Sequence, residues 1–175
     1  MADVYLGIGS NLGDRQANIE RAVMLLKEDK DMDWVGMSSV IETEPEGDEA
    51  QSKFLNAAAH IRTELLPPDL LSRLKGIERR LGRQKSATGG PRPMDLDILF
   101  YDDVVIVEGK SLSIPHPRMD RRSFVLKPLF EIAPDLLHPR LKKTVRELLN
   151  ALTENPTTSF GDDDLQSSSQ RAQIQ

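Results

Sequence analysis

Hydrophobic and polar positions change period several times along the chain, and each change marks an element. Val4 to Ser10 is a short apolar run closed by Asn11-Leu12-Gly13-Asp14, which reads as a first strand, a turn and a helix N-cap. Ile19, Ala22, Val23, Leu25 and Leu26 then recur at spacings of three and four, predicting a helix with one buried stripe down to about Glu28. Trp34 to Thr43, rich in Val, Met and Ile, reads as one continuous second strand, broken by the acidic loop Glu44-Pro45-Glu46-Gly47-Asp48-Glu49. Phe54 to Arg62 alternates as a third strand in which Asn56 is an odd amide among small and apolar residues. Pro67-Pro68-Asp69 opens a second helix with the stripe Leu70, Leu71, Leu74, Ile77 and Leu81, which Gly82 ends. Glu78 lies on or beside that stripe, and a carboxylate there needs a basic partner or a ligand hydroxyl.

Asp95 to Tyr101 reads as a further strand, and Asp102-Asp103 as a turn that folds Val104 to Val107 back on it as a hairpin. Leu112 to Arg118 is extended, with a proline on either side of His116. Ser123 is expected to cap the apolar run from Phe124 to Ile132, and Thr144-Val145-Arg146-Glu147 has the capping-box spacing that opens a last helix to Leu152. Past Asn155 the chain is Thr, Ser, Asp and Gln, so residues 1–155 are expected to form one domain and 156–175 a disordered tail. This order, with hairpins and only two long crossovers, predicts an α+β fold: a ferredoxin-like sandwich with a mostly antiparallel sheet covered by helices. A doubly wound parallel sheet would need more strand-helix alternation.

Composition narrows the chemistry. The chain has 175 residues, 38% of them hydrophobic, enough for one real core. It contains no cysteine, which excludes disulfides, thiolate nucleophiles and Cys-ligated metal centres. A net charge of −5 argues against a nucleic-acid coat, while a small anion needs only a local basic cluster. The N-terminal apolar run is too short for a signal peptide or membrane span, so a cytoplasmic protein with no membrane partner is expected.

The richest stretch is Gly89-Gly90-Pro91-Arg92-Pro93-Met94-Asp95-Leu96-Asp97-Ile98. Strand periodicity puts Asp95 and Asp97 on one face and Met94, Leu96 and Ile98 on the other. Two like charges roughly 7 Å apart raise each other's pKa unless a cation sits between them, and Mg²⁺ suits one or two carboxylates plus phosphate oxygens. Arg92 offers a phosphate-matching fork just upstream. The alternative for any D-x-D is a solvated strand end. Arg83 to Arg92 is basic, small and glycine-hinged, either a lid over phosphates or an ordinary connection. His116, near Arg118, Arg121 and Arg122, is a phosphate donor or a cap. Asn56 is either satisfied by a neighbouring turn or held for a ligand with paired donors and acceptors. Two glycine motifs are decoys. Gly7, Gly9 and Gly13 miss the dinucleotide spacing, leaving room for close backbone packing, and Gly109-Lys110-Ser111 lacks the first Walker glycine and a following helix.

Taken together the residues resemble the 6-hydroxymethyl-7,8-dihydropterin pyrophosphokinase family of folate biosynthesis. The resemblance runs from Val4 to about Leu152, through Gly9-Ser10-Asn11-Leu12-Gly13, Phe54-Leu55-Asn56-Ala57-Ala58, Ile77 to Arg83, Gly90-Pro91-Arg92 with Asp95-Leu96-Asp97-Ile98, Ile114-Pro115-His116 and Pro128 to Pro134. It implies transfer of a diphosphoryl group from ATP to the pterin hydroxymethyl oxygen, with AMP released. It further implies that Asp95 and Asp97 hold two Mg²⁺ ions, that Arg83, Arg92, Arg122 and His116 face phosphates, and that Lys85 takes over in part from the family's lid arginines. Glu78, Ile98 and Ser113 fall where the family contacts the nucleoside of ATP. Phe54 and Phe124 match the two aromatics around the pterin, Asn56 the amide that reads its edge, and Thr43 and Glu46 the backbone that assists. A monomer is expected. Gln84, Lys85 and Thr88 stand in place of lid arginines, Gly89 in place of a frequent tryptophan, and Glu44 and Glu46 in place of residues often proline and apolar. The competing class is a non-catalytic ferredoxin-like binding module.

Overall fold

A computed structural model describes residues 1–47, 49–83, 90–108 and 111–154. The central strand β1 (Ala2–Ser10) pairs antiparallel with β4 (Phe54–Thr63) on one side and β5 (Asp95–Tyr101) on the other. The outer edge of β4 carries β2 (Met32–Met37) and β3 (Ile41–Thr43) end to end, so the order across the sheet is β2-β4-β1-β5. With α1 (Arg15–Glu28) and α2 (Pro67–Arg80) as the crossovers, this is the ferredoxin-like β-α-β-β-α-β arrangement that the sequence predicts.

Alternation along β1 sorts the two faces. Val4, Leu6 and Ile8 enter a core shared with Ile19, Ala22 and Leu26 of α1 and Leu70, Leu74 and Ile77 of α2. Tyr5 and its neighbours enter a second core with Met119 and with α3 (Ser123–Ile132) and α4 (Val145–Glu154). A register shift in the β1–β5 pairing puts both Leu99 and Phe100 on that second face. Beyond the reach of α3 the same face is floored by Gly7 and Gly9 and left open.

Most of the local signals hold in the structure. Asp14 caps α1, accepting the Ala17 N–H at 3.1 Å, and Thr144 and Glu147 exchange capping-box hydrogen bonds at the start of α4. Gly82 takes a φ of +92° after α2, where a side chain would be strained.

Three expectations need correction. The single strand from Trp34 to Thr43 is two, because Ser38 takes the Ala58 N–H on its hydroxyl at 2.9 Å while both oxygens of Glu131 in α3 hold Ser39. The Ser38 N–H still bonds to the Ala58 carbonyl at 2.9 Å, but side chains take over the other positions of the ladder there. The segment after Asp103 does not fold back on β5. Asp102, at a φ of +45°, donates its N–H to Asp3 and accepts the Asp3 N–H, turning the chain aside. Strand β6 (Ile106–Glu108) pairs instead with β7 (Leu112–Ile114). Ser123 is the first residue of α3, not its cap, and the capping position is Arg122, with no side-chain cap bond. The Gly109-Lys110 motif, most of the lid and the tail fall outside the described residues. Among the described residues no helix is long and apolar enough to cross a membrane.

Candidate active site

A cavity of about 470 Å³ opens over the uncovered end of the sheet. Strand register builds its floor. Gly9 lies between Asn56 of β4 and Asp95 of β5, and Gly7 lies between Ala58 and Asp97. With strands about 4.8 Å apart, the amide and the first carboxylate stand roughly 10 Å from each other across a glycine floor. That span suits a flat two-ring molecule whose far end reaches the acids.

On the acid side, both carboxylates line the cavity, as the strand period requires. Burial first, and then the charge of Asp95, pushes the Asp97 carboxyl up to about 6. Asp95 is held by Arg83 at 2.7 Å and by Arg92 at 3.4 Å. Arg83 also reaches the second oxygen of Glu78 at 2.8 Å, and the first oxygen of Glu78 accepts the Lys75 ammonium and the Leu96 N–H, both at 2.8 Å. Glu78, only 1% exposed, therefore fixes the strand between the two acids and the arginine in front of them. The two carboxylates with open space in front are a hard oxygen set that fits Mg²⁺, and a cation there would offset the burial and the Asp95 charge that raise Asp97.

Arg92 is positioned by a residue that sequence reading left as a turn. Asn11, 2% exposed, accepts the Arg92 N–H on its side chain at 2.9 Å and donates its own N–H to the Arg92 carbonyl at 3.2 Å. Its amide nitrogen reaches the Gln51 side chain at 3.1 Å, linking the loop on the opposite wall. Among the described residues the Nε of Arg92 is buried without a partner, a donor left for a ligand.

On the third wall, the ring of His116 accepts the Arg118 N–H on Nδ1 at 3.3 Å, which leaves the proton of the neutral imidazole on Nε2. Burial, then the charges of Arg122 and Arg118, lower its pKa to about 4. It is a neutral donor at pH 7. Arg122 pairs with Glu46 at 2.9 Å and lies 5.4 Å over the ring of Phe124. Phe124 and Phe54, both half-buried, line the aromatic end. Asn56 donates to the Thr43 hydroxyl at 2.6 Å, which leaves its carbonyl oxygen as the acceptor. A Cβ on Gly9 would come within 3.1 Å of that oxygen, so the expected room for close packing serves the site itself.

Ten of the residues singled out from sequence thus share one cavity: Thr43, Glu46, Phe54, Asn56, Arg92, Asp95, Asp97, His116, Arg122 and Phe124. Arg83 stands behind Asp95. Glu78 is buried in its ion-pair network, Ile98 points into the α1–α2 core at 5% exposure, and Ser113 sits on β7 opposite Val107, so none of these three lines the cavity. Lys85 lies outside the described residues. Sequence reading gave no site role to Gly9, Asn11 and Lys75, and named Arg118 only in the basic cluster near His116. The first two share the Gly9-Ser10-Asn11 turn and could have been suspected there, whereas Lys75 looks like any exposed helical lysine.

Comparison with known proteins gives a family. The model of 7,8-dihydro-6-hydroxymethylpterin-pyrophosphokinase matches residues 5–134. A 2-amino-4-hydroxy-6-hydroxymethyldihydropteridine pyrophosphokinase of Aquifex aeolicus is 41% identical over 156 residues, covering 89% of this chain and 96% of that protein. One of Bacillus subtilis is 45% identical over 128 residues, covering 73% and 76%. The solved Plasmodium falciparum HPPK-DHPS with pteroate matches with a TM-score of 0.70 at 18% identity, over 90% of this chain. The chain spans 43% of that solved chain, and at such identity the likeness speaks to the fold alone.

Proposed function

Because the chain belongs to the 7,8-dihydro-6-hydroxymethylpterin-pyrophosphokinase family, we propose that this cavity is where it joins ATP to its pterin substrate. The protein is an ATP-dependent pyrophosphokinase of folate biosynthesis, moving a diphosphoryl group onto 6-hydroxymethyl-7,8-dihydropterin. One observation supports the placement above others: the aromatic pair and Asn56 share a cavity with Asp95 and Asp97, across the width of two strand spacings.

In this reading Phe54 and Phe124 sandwich the pterin ring, and the Asn56 oxygen accepts from its N–H edge while Thr43 fixes the amide. The hydroxymethyl group then points along the row Asn56-Gly9-Asp95 toward the acids. Asp95 and Asp97 would hold the Mg²⁺ ions, two being the expected number, which neutralise phosphate charge when bound. Arg92 and Arg122 supply forked donors, His116 a neutral Nε2–H, and Arg83 holds Asp95 against charge repulsion. No residue is placed as a strong base. Loose phosphoryl-transfer transition states need positioning and charge neutralisation more than early deprotonation. Glu46 must release Arg122 for a phosphate to take its place.

A monomer is the expected working unit, and dependence on ATP supports a cytoplasmic site of action. Incubation with ATP, Mg²⁺ and 6-hydroxymethyl-7,8-dihydropterin should yield AMP and the pterin diphosphate in equal amounts. A non-catalytic binding module would bind one substrate and release no AMP.

A further inference from the structure

Among the described residues three guanidinium groups line this cavity and one more, that of Arg83, stands behind Asp95; three of the four are already committed to carboxylates. Arg83 holds Glu78 and Asp95, Arg92 lies 3.4 Å from Asp95, and Arg122 holds Glu46 at 2.9 Å. The fourth, Arg118, also lines the cavity, is exposed, and forms no ion pair among the described residues. An anion reaching the first three must share or displace a carboxylate, whereas at Arg118 it displaces only water.

We propose that Arg118 is a substrate-binding residue for the triphosphate of ATP, the first cation to engage the incoming nucleotide, and that it sets ATP affinity more than the rate of transfer. The proposal rests on the reading of the cavity given above. Its geometry follows from the chain: the Arg118 N–H is bonded to the His116 ring, so its side chain leaves the backbone beside the imidazole assigned to phosphate. His116, Arg118 and Arg122 all line the same cavity, so both guanidinium groups share a wall with the imidazole. An exposed, unpaired arginine at a cavity mouth acts through long-range attraction, which raises the rate of encounter and fades with salt.

The test is steady-state kinetics of Arg118→Gln and Arg118→Lys with ATP, Mg²⁺ and 6-hydroxymethyl-7,8-dihydropterin, at low and at physiological ionic strength. Arg118→Gln should raise the KM for ATP roughly fivefold at low salt, flatten the salt dependence of kcat/KM for ATP, and leave the KM for the pterin alone. Arg118→Lys should restore most of the ATP affinity, because a point charge suffices for steering. An ATP KM that moves less than about twofold in Arg118→Gln overturns the proposal. So does a fall in kcat with unchanged KM, which would make Arg118 part of the transfer step. Wild-type enzyme that releases no AMP refutes the functional reading instead, so the two failures are told apart.

Discussion

Replacing Gly9 with alanine should damage one substrate site and spare the other. The new Cβ would stand 3.1 Å from the Asn56 carbonyl oxygen and 3.8 Å from the Phe54 ring, the two atoms within 4 Å of it. The first contact is tight, so the Asn56 oxygen has to give by a few tenths of an ångström. The side chain is anchored by the 2.6 Å bond to Thr43, so the shift is made at the expense of that bond and of the alignment of its oxygen with the substrate edge. One intramolecular hydrogen bond and one to the pterin, at about 1 kcal/mol each, give a loss of about 2 kcal/mol, or roughly thirtyfold in pterin affinity. Gly9 has no left-handed φ, so alanine is tolerated by the backbone and the fold should persist. The acids across the strand are not among the atoms met. Titration of the variant with the pterin and, separately, with a non-hydrolysable ATP analogue and Mg²⁺ reads both sites. Pterin affinity within threefold of wild type, or an equal loss for the nucleotide, would refute the reasoning.

Glu78→Gln keeps the shape of the buried side chain but loses the charge that Lys75 and Arg83 share, and one of its oxygens becomes a donor facing a donor. Urea unfolding should show about 2–3 kcal/mol less stability, together with slower turnover from the loosened Arg83, and a change under about 0.5 kcal/mol would contradict it. Asn11→Ala removes the side-chain bonds to Arg92 and Gln51 and keeps only the backbone bond to the Arg92 carbonyl, so it should lower kcat while the metal-free stability falls by about 1–2 kcal/mol; unchanged kcat would free Arg92 from this support. The pH dependence of the metal-free protein sets two groups against each other. Asp97 is raised to about 6, so its contribution is present at low pH and lost as pH rises from about 4 through 6. His116 is lowered to about 4, so its contribution is present above about 6.5 and lost as pH falls toward 4. The slopes oppose in one window. Asp97→Asn should leave stability rising with pH there, and His116→Gln should leave it falling; urea midpoints with chelator present check both, and slopes of equal sign would contradict the assignments.

The hydrophobic periods carried the sheet and helices because each buried stripe is local, and the D-x-D on one strand face followed from the two-residue period alone. What could not be read was pairing. Whether Val107 meets β5 or β7 depends on Asp102 bonding to Asp3, 99 positions away, and the break at Ser38 depends on Glu131 from α3. The same limit applies at the site. Thr43, Phe54 and Phe124 were placed by resemblance, since no spacing rule says that two aromatics seventy residues apart share a cavity. Glu78 was marked as needing a partner, and its three donors come from α2, the segment after it and β5. Asn11 carried no pattern because its partners, Gln51 and Arg92, are brought to it only by folding.

The claim beneath the rest is that Asp95 and Asp97 jointly hold the cations that receive the triphosphate. Manganese substituted for magnesium can be counted by electron paramagnetic resonance in protein saturated with a non-hydrolysable ATP analogue. Wild type should bind about two ions per nucleotide complex, and the Asp95→Asn, Asp97→Asn double variant at most the one that the nucleotide itself carries. Two ions retained in the double variant would contradict the account.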